Sequence, residues 1–251
     1  MGNKTFISSM VGVAAAVAVA GSANAGFVDN FTRSLANASP NSQNNNTITV
    51  TSTGDGNGQQ RTNTGLTPTA FPMRTTSVTN KGSSATMTGN GSAAFVLGRA
   101  TSGGASATNE NGFGYMSLNY SNNNLFADLT GTTSFSINVG SYTGDATTWT
   151  LDVGFDSQSE FDLGSLQLIL TNSNIVSGVL TFNVANMETY GTIDWAKVDY
   201  IGLGVARAEW GALNSTVGFT LSDFRYNVIP APGALALLGV AGLVGARRRR
   251  D

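Results

Sequence analysis

Apolar residues alternate with polar ones in four stretches of this chain, and this two-residue period constrains the fold more than any other feature. Phe135, Ile137 and Val139 alternate with Ser and Asn. The same pattern recurs at three further places: Trp149, Leu151, Val153 and Phe155; Leu180, Phe182 and Val184; Val217, Phe219 and Leu221. Such alternation is typical of strands with one face on a core. No stretch from 26 to 227 carries a sustained helical stripe.

Turn-forming residues separate these strands. They occur at Thr143–Asp145, at Thr171–Asn174 and at Glu209–Ala212. Two more continuously apolar segments, Leu166–Leu170 and Val198–Val205, predict inner strands. Many short strands with turns between them indicate an all-β sandwich or barrel. The 41% of hydrophobic residues suffices for a core, and we predict one domain over residues 26–227.

Two segments of this domain are poor in large apolar residues. Residues 37–65 and 101–112 are rich in Asn, Thr, Ser and Gly, and Asn side chains compete with regular backbone pairing. We therefore predict long loops there. By contrast, Phe27–Phe31 has the composition of a first strand.

The first 25 residues have the layout of a removable export signal. Lys4 and the free amine form a short positive region, and Met10–Ala20 is an uncharged apolar run. Ala23 and Ala25 then supply the small residues of a cleavage site. A permanent anchor is the alternative, but the run is shorter than the ~20 apolar residues of a membrane span. We predict a signal helix within residues 1–25 and cleavage after Ala25.

The last segment, residues 228–251, has the layout of a second targeting signal. Pro230 and Pro232 precede an uncharged apolar stretch, Gly233–Ala246. Four arginines follow it: Arg247, Arg248, Arg249 and Arg250. As a helix this stretch would be ~21 Å long, shorter than a ~30 Å hydrocarbon core, and the arginines would stay on the cytoplasmic side. We predict a short hydrophobic helix that holds the chain transiently at the inner membrane; a permanent tail anchor is the alternative.

The proline element, the apolar helix and the arginine cluster together resemble a PEP-CTERM sorting signal. The element reads Pro230-Ala231-Pro232-Gly233, with Ala231 where that family usually has Glu. The resemblance implies cleavage near the prolines by an exosortase-like membrane protease. It also implies a bacterium that makes extracellular polysaccharide, with the processed protein at the cell surface or in the extracellular matrix.

The composition excludes several kinds of chemistry. Cys and His are both absent, which excludes disulfides, thiolate zinc sites and the commonest general acid–base side chain. Any metal site would use oxygen ligands, which favours Ca²⁺. Without residues 1–25 and 228–251, 8 basic and 14 acidic side chains leave a net charge of −6. An acidic body of this kind indicates no nucleic-acid partner.

A second resemblance concerns the body. Gly191–Leu203 followed by Phe219–Arg225 is similar to the closing strands of jelly-roll carbohydrate-binding modules, and Val28–Phe31 is similar to their opening strand. The resemblance implies a jelly-roll-like antiparallel β-sandwich whose first and last strands lie close together. It also implies a structural Ca²⁺ held near Asp29 and Asp223.

Acidic residues are densest after the second alternating stretch. They are Asp152, Asp156, Glu160 and Asp162. A solvated strand face and loop is the simpler reading, and a Ca²⁺ site is the alternative. The spacing lacks the EF-hand pattern. The alternation predicts that Asp152 faces away from the apolar side that Trp149 shares.

Aromatic residues supply the candidate sugar platforms, because an aromatic face offers apolar contact to a sugar ring. Trp195 and Trp210 lie in turn-like sequence and are the leading candidates, with packing under a loop as the alternative. Trp149 is predicted to be core. The remaining candidates are Tyr142, Tyr190 and Tyr200.

These features together predict an exported, non-catalytic surface or matrix protein that binds extracellular polysaccharide. A purely structural surface or coat component is the first alternative. A polysaccharide-active enzyme is the second, although neither His nor a Gly-x-Ser-x-Gly element is present to activate a serine.

Overall fold

The computed structural model describes residues 24–33, 47–49, 59–66, 69–79, 83–98, 114–121, 126–154, 165–207 and 216–229. Several predictions fall outside these residues. They concern the signal up to Ala23, the tail from Pro230 onward, the loop over 101–112, and the residues Phe155, Asp156, Glu160, Asp162 and Trp210. Residues Ala23–Ile229 group into one unit by their contacts.

Strands dominate the described residues. In chain order they are β1 (Asn24–Asp29), β2 (Thr47–Thr49), β3 (Gln59–Asn63), β4 (Met73–Thr79), β5 (Ser84–Met87), β6 (Ser92–Leu97), β7 (Tyr115–Ser121), β8 (Thr132–Thr143), β9 (Thr147–Gly154), β10 (Ser165–Thr171), β11 (Val179–Asn183), β12 (Glu188–Tyr190), β13 (Tyr200–Arg207) and β14 (Val217–Val228). Two short 3-10 helices, Asn172–Asn174 and Val184–Asn186, follow β10 and β11. Among the residues described here, no helix is long and apolar enough to cross a membrane.

These strands form two sheets, each with seven strands in the described part of the chain. Sheet A has the order β11-β8-β14-β6-β5-β2, with β1 also paired to β14. Sheet B has the order β12-β10-β9-β13-β7-β4-β3. Every pairing between these strands is antiparallel.

The two sheets pack face to face over one hydrophobic core. The ring centroids of Trp149 on β9 and Phe219 on β14 are 5.0 Å apart, and those of Tyr120 on β7 and Phe224 on β14 are 5.7 Å apart. All four side chains are buried, as are the alternating apolar residues of β8, β9 and β14. Because each fully buried large side chain stabilises the fold by about 1.5–3 kcal/mol, these strand faces provide much of its stability. The predicted all-β, jelly-roll-like antiparallel sandwich is thereby confirmed.

The first and last strands lie side by side, as the jelly-roll resemblance implies. Asn24 pairs with Val228 and Ala25 with Asn227, and the register shifts before Asp29 pairs with Phe224. Two details of the strand predictions are wrong. Phe31 lies beyond β1 with a φ of 53°, where a nearby carboxylate fixes its backbone, and Val184 begins a 3-10 helix. Both residues end an alternation where the chain turns, which the apolar period alone does not reveal.

The predicted inner strands are confirmed. Strand β13 lies between β9 and β7, and β10 lies between β12 and β9. The predicted turn at Thr143–Asp145 joins β8 to β9, with Gly144 at a φ of 95°, where a Cβ would meet Thr216 O at 2.2 Å. The loop predicted over residues 37–65 contains the short strands β2 and β3, so that prediction is wrong in part. Their edge positions explain why they need few large apolar residues.

Candidate functional site

The outer face of sheet B is the candidate site, and one row of aligned residues crosses the seven strands that the structure describes for it. Strand pairing aligns, in order, Glu188 on β12, Gln167 on β10, Asp152 on β9, Gly202 on β13, Asn119 on β7, Thr75 on β4 and Thr62 on β3. Residues of the opposite parity on β9, β13 and β7 are buried in the core, so this row faces outward. At ~4.8 Å per strand the row is about 29 Å long.

At the centre of this face, tyrosine side chains cover two glycines of β13, Gly202 and Gly204. A Cβ at Gly202 would lie 2.3 Å from the Tyr200 hydroxyl oxygen, so the hydroxyl end of Tyr200 rests on Gly202. That hydroxyl donates to Asn119 Oδ1 at 3.1 Å. The hydrogen bond fixes the ring and leaves the Asn119 amide group on the same face.

Tyr115 on the neighbouring strand β7 covers the second of these glycines. A Cβ at Gly204 would lie 2.9 Å from the Tyr115 hydroxyl oxygen. Tyr115 is 39% exposed and Ser117 below it is buried. Burial raises the pKa of Tyr115, a side-chain hydrogen bond with Ser117 lowers it, and the charge of Asp152 raises it. The two tyrosines therefore point toward each other along β13, with their hydroxyl ends over glycines two residues apart.

Asp152 is the central acidic group of the face. Its Oδ1 accepts a hydrogen bond from Gln167 Nε2 at 2.7 Å. Burial raises the pKa of Asp152, and the hydrogen bond from Gln167 partly offsets this. The prediction that Asp152 faces away from the core is confirmed by its place in the outward row.

Glu188 and Tyr190 form the margin of the face on β12. The Tyr190 hydroxyl donates to Glu188 Oε2 at 3.0 Å, and Tyr190 is 55% exposed. The hydrogen bond to Glu188 and its charge raise the pKa of Tyr190, with smaller contributions from burial and from Asp152. Tyr190 pairs with Ser165, so it stands at the outer end of a row that neighbours the Glu188 row.

The chemistry of this face suits recognition of a polyhydroxylated chain. Tyrosine rings offer apolar surface, while amide, hydroxyl and carboxylate groups offer hydrogen-bonding positions beside them. The rings and acceptors are already held by hydrogen bonds within the protein, so little side-chain entropy remains to be lost on binding.

The two residues predicted to hold Ca²⁺ lie on neighbouring strands but have separate partners. Asp29 is fully buried, and its Oδ2 accepts hydrogen bonds from Arg74 Nη1 at 2.5 Å and from the Tyr120 hydroxyl at 3.1 Å. Asp223 pairs instead with Arg225 at 2.7 Å, half exposed. Ca²⁺ at Asp29 would have to displace a guanidinium. The calcium site stays a prediction, and within the described ranges no group of three or more acidic residues is placed to hold a metal.

The buried Asp29 carboxylate ties the two sheets together. Its Oδ1 accepts the Phe31 backbone N–H at 2.7 Å, which explains the left-handed conformation there. Arg74 also donates to Asn63 Oδ1 at 3.0 Å. Burial and the adjacent Asp29 raise the pKa of Tyr120 well above its ordinary value, so it stays a neutral donor.

The tryptophans have different surroundings. Trp149 is fully buried, as predicted, and its Nε1 donates to Thr147 Oγ1 at 2.7 Å. Trp195 is half-buried, packs against the core, and accepts the Leu129 N–H on its carbonyl oxygen at 2.7 Å. It lies between β12 and β13 and is not a strand residue of the face. Trp210 and the sorting motif lie outside the described residues, and Ala25 lies in β1.

Sequence reasoning named Tyr190 and Tyr200 but missed Tyr115. A sequence signal that could have identified it is the alternation of Met116, Leu118 and Tyr120. This alternation places Tyr115 on the outer side of a strand. Tyr142, another sequence candidate, is half-buried elsewhere and donates to Asp145 O at 2.5 Å. Its partner contacts give it a role in the β8–β9 turn.

The sequence matches no protein-family model and no curated protein. Among solved structures, the chain is similar to the family 11 carbohydrate-binding module from Clostridium thermocellum, determined in complex with a β-1,3-1,4-mixed-linked tetrasaccharide. The two are 12% identical, with 72% of this chain and 94% of that chain covered and a TM-score of 0.34. At this TM-score the likeness is weak, and the fold assignment rests on the strand pairing of this chain.

Proposed function

We propose that the outer face of sheet B binds polysaccharide and that the protein performs no catalysis there. The observation that carries this proposal is the pair of tyrosines, Tyr115 and Tyr200, resting on the glycines of β13 beside Asn119 and Asp152. Sugar rings present apolar C–H faces to aromatic rings and hydroxyls to polar neighbours. The face supplies both kinds of contact on a rigid sheet.

The long row of polar side chains supports a polymer as the ligand. A row of about 29 Å is longer than a single sugar, and it has polar side chains on six strands and Gly202 on the seventh. Several contacts of moderate strength along a chain give retention on a polymer even when each one is weak.

Catalysis is the second candidate, favoured by two carboxylates on the same face. Asp152 and Glu188 lie two strands apart, about 10 Å between their Cα atoms, and inverting glycosidases hold their two carboxyl groups ~6.5–9.5 Å apart. Burial raises the pKa of Asp152, as a general acid requires. Gln167 lies between the two carboxylates in the row and donates a hydrogen bond to Asp152, so its side chain takes up space between them. We therefore propose binding.

We also propose that the chain is exported and then processed at both ends, as the signal-like and PEP-CTERM-like segments indicate. The predicted signal cleavage after Ala25 falls within β1, and the prolines from Pro230 onward follow the end of β14. Cleavage at both places would remove the first two residues of β1 and leave its pairing with β14 from Gly26 onward in place. Exosortase-like processing would then release the protein from transient inner-membrane association to the surface or matrix.

Affinity electrophoresis in gels that contain soluble polysaccharides tests the binding proposal. We expect a neutral polysaccharide from a panel of glucans, xylans and mannans to retard the protein, and the double variant Tyr115→Ala/Tyr200→Ala to lose about 90% of that affinity, since aromatic contacts contribute ~1–3 kcal/mol. Tyr115→Phe/Tyr200→Phe is the matched control that keeps the rings. Retardation by none of the polysaccharides, neutral or anionic, would refute the binding proposal. Release of reducing ends during the same incubation would favour the enzyme alternative.

Intact-mass measurement of the protein from its native cells tests the processing proposal separately. The expected mass begins at Gly26 and ends near Pro230, with any attached group added. A mass that retains Arg247–Arg250 would identify the tail as a permanent anchor. A mass that ends near Pro230 combined with failed polysaccharide binding would favour the purely structural alternative.

A further inference from the structure

We propose that the outer face of sheet B selects polysaccharides without negative charge and repels uronic-acid, sulfated or phosphorylated chains. This inference rests on the proposed binding function and adds the class of ligand. It follows from the charges and hydrogen-bonding groups that the face presents.

Two ionisable carboxylates stand at outward positions of the sheet B strands that the structure describes, and both lie in the long row. Asp152 and Glu188 flank Gln167. The outward strand positions of sheet B include neither Lys nor Arg. The described strands of sheet B contain three arginines. Arg74 and Arg207 are buried with Asp29 and Asp145 as their partners. Arg61 on β3 pairs with the buried Thr76, so its strand position is not one of the outward row.

The acidic groups act over the centre of the face. The charge of Asp152 contributes to the raised pKa of both Tyr115 and Tyr190, after burial in the first case and after Glu188 in the second. Asp152 therefore lies within electrostatic reach of the rings proposed to contact sugar. The screening length at physiological salt is about 8 Å, so an anionic sugar on these rings would be repelled.

The hydrogen-bonding groups favour the same ligand class. Carboxylates accept hydrogen bonds and cannot donate them when ionised. Asp152 Oδ1 already accepts from Gln167 and Glu188 Oε2 from Tyr190, and sugar hydroxyls can donate to the remaining lone pairs. A carboxylate or sulfate on the ligand only accepts, so it would find no partner on Asp152 or Glu188. A neutral hydroxylated chain satisfies these acceptors.

Matched polysaccharide pairs test the inference. Hydroxyethylcellulose against carboxymethylcellulose, and dextran against dextran sulfate, compare the same backbones with and without charge. The full chain is measured with each by affinity electrophoresis at 0.15 M and at 1 M salt. Where the protein binds the neutral polysaccharide of a pair, we expect at least tenfold weaker affinity for the charged one at 0.15 M salt. This difference in affinity should shrink at 1 M salt, where the screening length is about 3 Å.

The double variant Asp152→Asn/Glu188→Gln removes both negative charges and keeps an acceptor oxygen at each position. It should therefore reduce the ratio of affinities for the neutral and the charged member of a pair by at least threefold. Asp128→Asn/Asp194→Asn is the matched control, because it removes two loop carboxylates that lie outside the strands of the face. Equal or stronger binding of the anionic member overturns the inference and leaves the binding proposal in place. An unchanged preference in the double variant also overturns it. Binding of no polysaccharide at all refutes both.

Discussion

The hydroxyl of Tyr200 rests on Gly202, two residues further along the same strand, where a Cβ would come within 2.3 Å of the hydroxyl oxygen. The glycine therefore determines where the aromatic ring lies. A strand glycine normally costs stability, so its presence in a central strand needs a local reason such as this close approach. The arrangement makes Gly202 a direct probe of the face.

Replacing Gly202 with Ala should weaken polysaccharide binding while preserving the fold. The added methyl group displaces the flexible end of Tyr200 and breaks its hydrogen bond to Asn119. We expect a threefold to thirtyfold loss of affinity, with a change in unfolding free energy of about 1 kcal/mol or less. Gly218→Ala is the matched control on β14, because its Cβ would meet Thr143 Oγ1 at 3.1 Å on the other sheet. Equal losses in the two variants would contradict the role assigned to Tyr200.

Asp152→Asn should raise stability at neutral pH. Burial raises the pKa of Asp152, so the folded state holds this proton over a pH range in which the unfolded chain has released it. Stability therefore falls as the pH rises from about 4 through the folded pKa, and the full cost is present above the folded pKa. The gain in the variant should be below about 1 kcal/mol, since the carboxylate is partly exposed, and should vanish below pH 4.

Urea unfolding of both proteins at pH 7 and pH 3.5 measures this effect. Asp128→Asn is a control of opposite sign. The side-chain and backbone hydrogen bonds from Thr130 lower the pKa of Asp128, so its contribution is present above its ordinary pKa and is lost as the pH falls. A gain in the Asp152 variant that persists at pH 3.5 would show that its cause is not the carboxylate charge.

Arg74→Met should be strongly destabilising. The change leaves the Asp29 carboxylate buried without its cation, and a broken buried pair costs about 3–5 kcal/mol. Arg225→Met breaks the half-exposed pair with Asp223 and should cost about 1 kcal/mol or less. Urea denaturation compares the two variants. Similar costs would mean that burial does not set the strength of these pairs.

Calcium titration decides between the two roles considered for Asp29. The calcium hypothesis predicts a higher Tm in millimolar Ca²⁺. The pairing with Arg74 predicts an unchanged Tm, because both Asp29 oxygens already have protein donors. Calorimetry with Ca²⁺ and with EDTA makes the comparison. A Ca²⁺-dependent rise that Asp223→Asn removes would establish the calcium site.

Trp195→Ala separates packing from binding. The side chain is half-buried against the core, so its loss should cost about 2 kcal/mol. Because Trp195 lies outside the strands of the face, polysaccharide affinity at a temperature where the variant is folded should stay within about twofold of the wild type. A large loss of affinity with unchanged stability would instead support Trp195 as a sugar platform.

Alternation in the sequence predicted much of the sandwich, because the apolar positions within each strand show which of its two faces is buried. Phe135, Ile137 and Val139 are buried as their period requires. This pattern does not predict which residues of neighbouring strands stand side by side on the outer face of sheet B. Gly202 pairs with Asp152 on one side and Asn119 on the other, and these partners lie far apart in sequence. The Asp29–Arg74 pair, 45 residues apart, was hidden for the same reason.

Tyrosine nitration with and without polysaccharide tests the central claim most directly. The protein is treated with tetranitromethane in the presence of the neutral polysaccharide that retards it best, and modified residues are identified by mass spectrometry. Tyr142 and Tyr226, which lie off the outer face of sheet B, serve as internal controls. We predict that polysaccharide protects Tyr115 and Tyr200 at least fivefold and leaves the controls unchanged. Equal nitration of Tyr115 and Tyr200 with and without bound polysaccharide would contradict the claim that this face is the binding site.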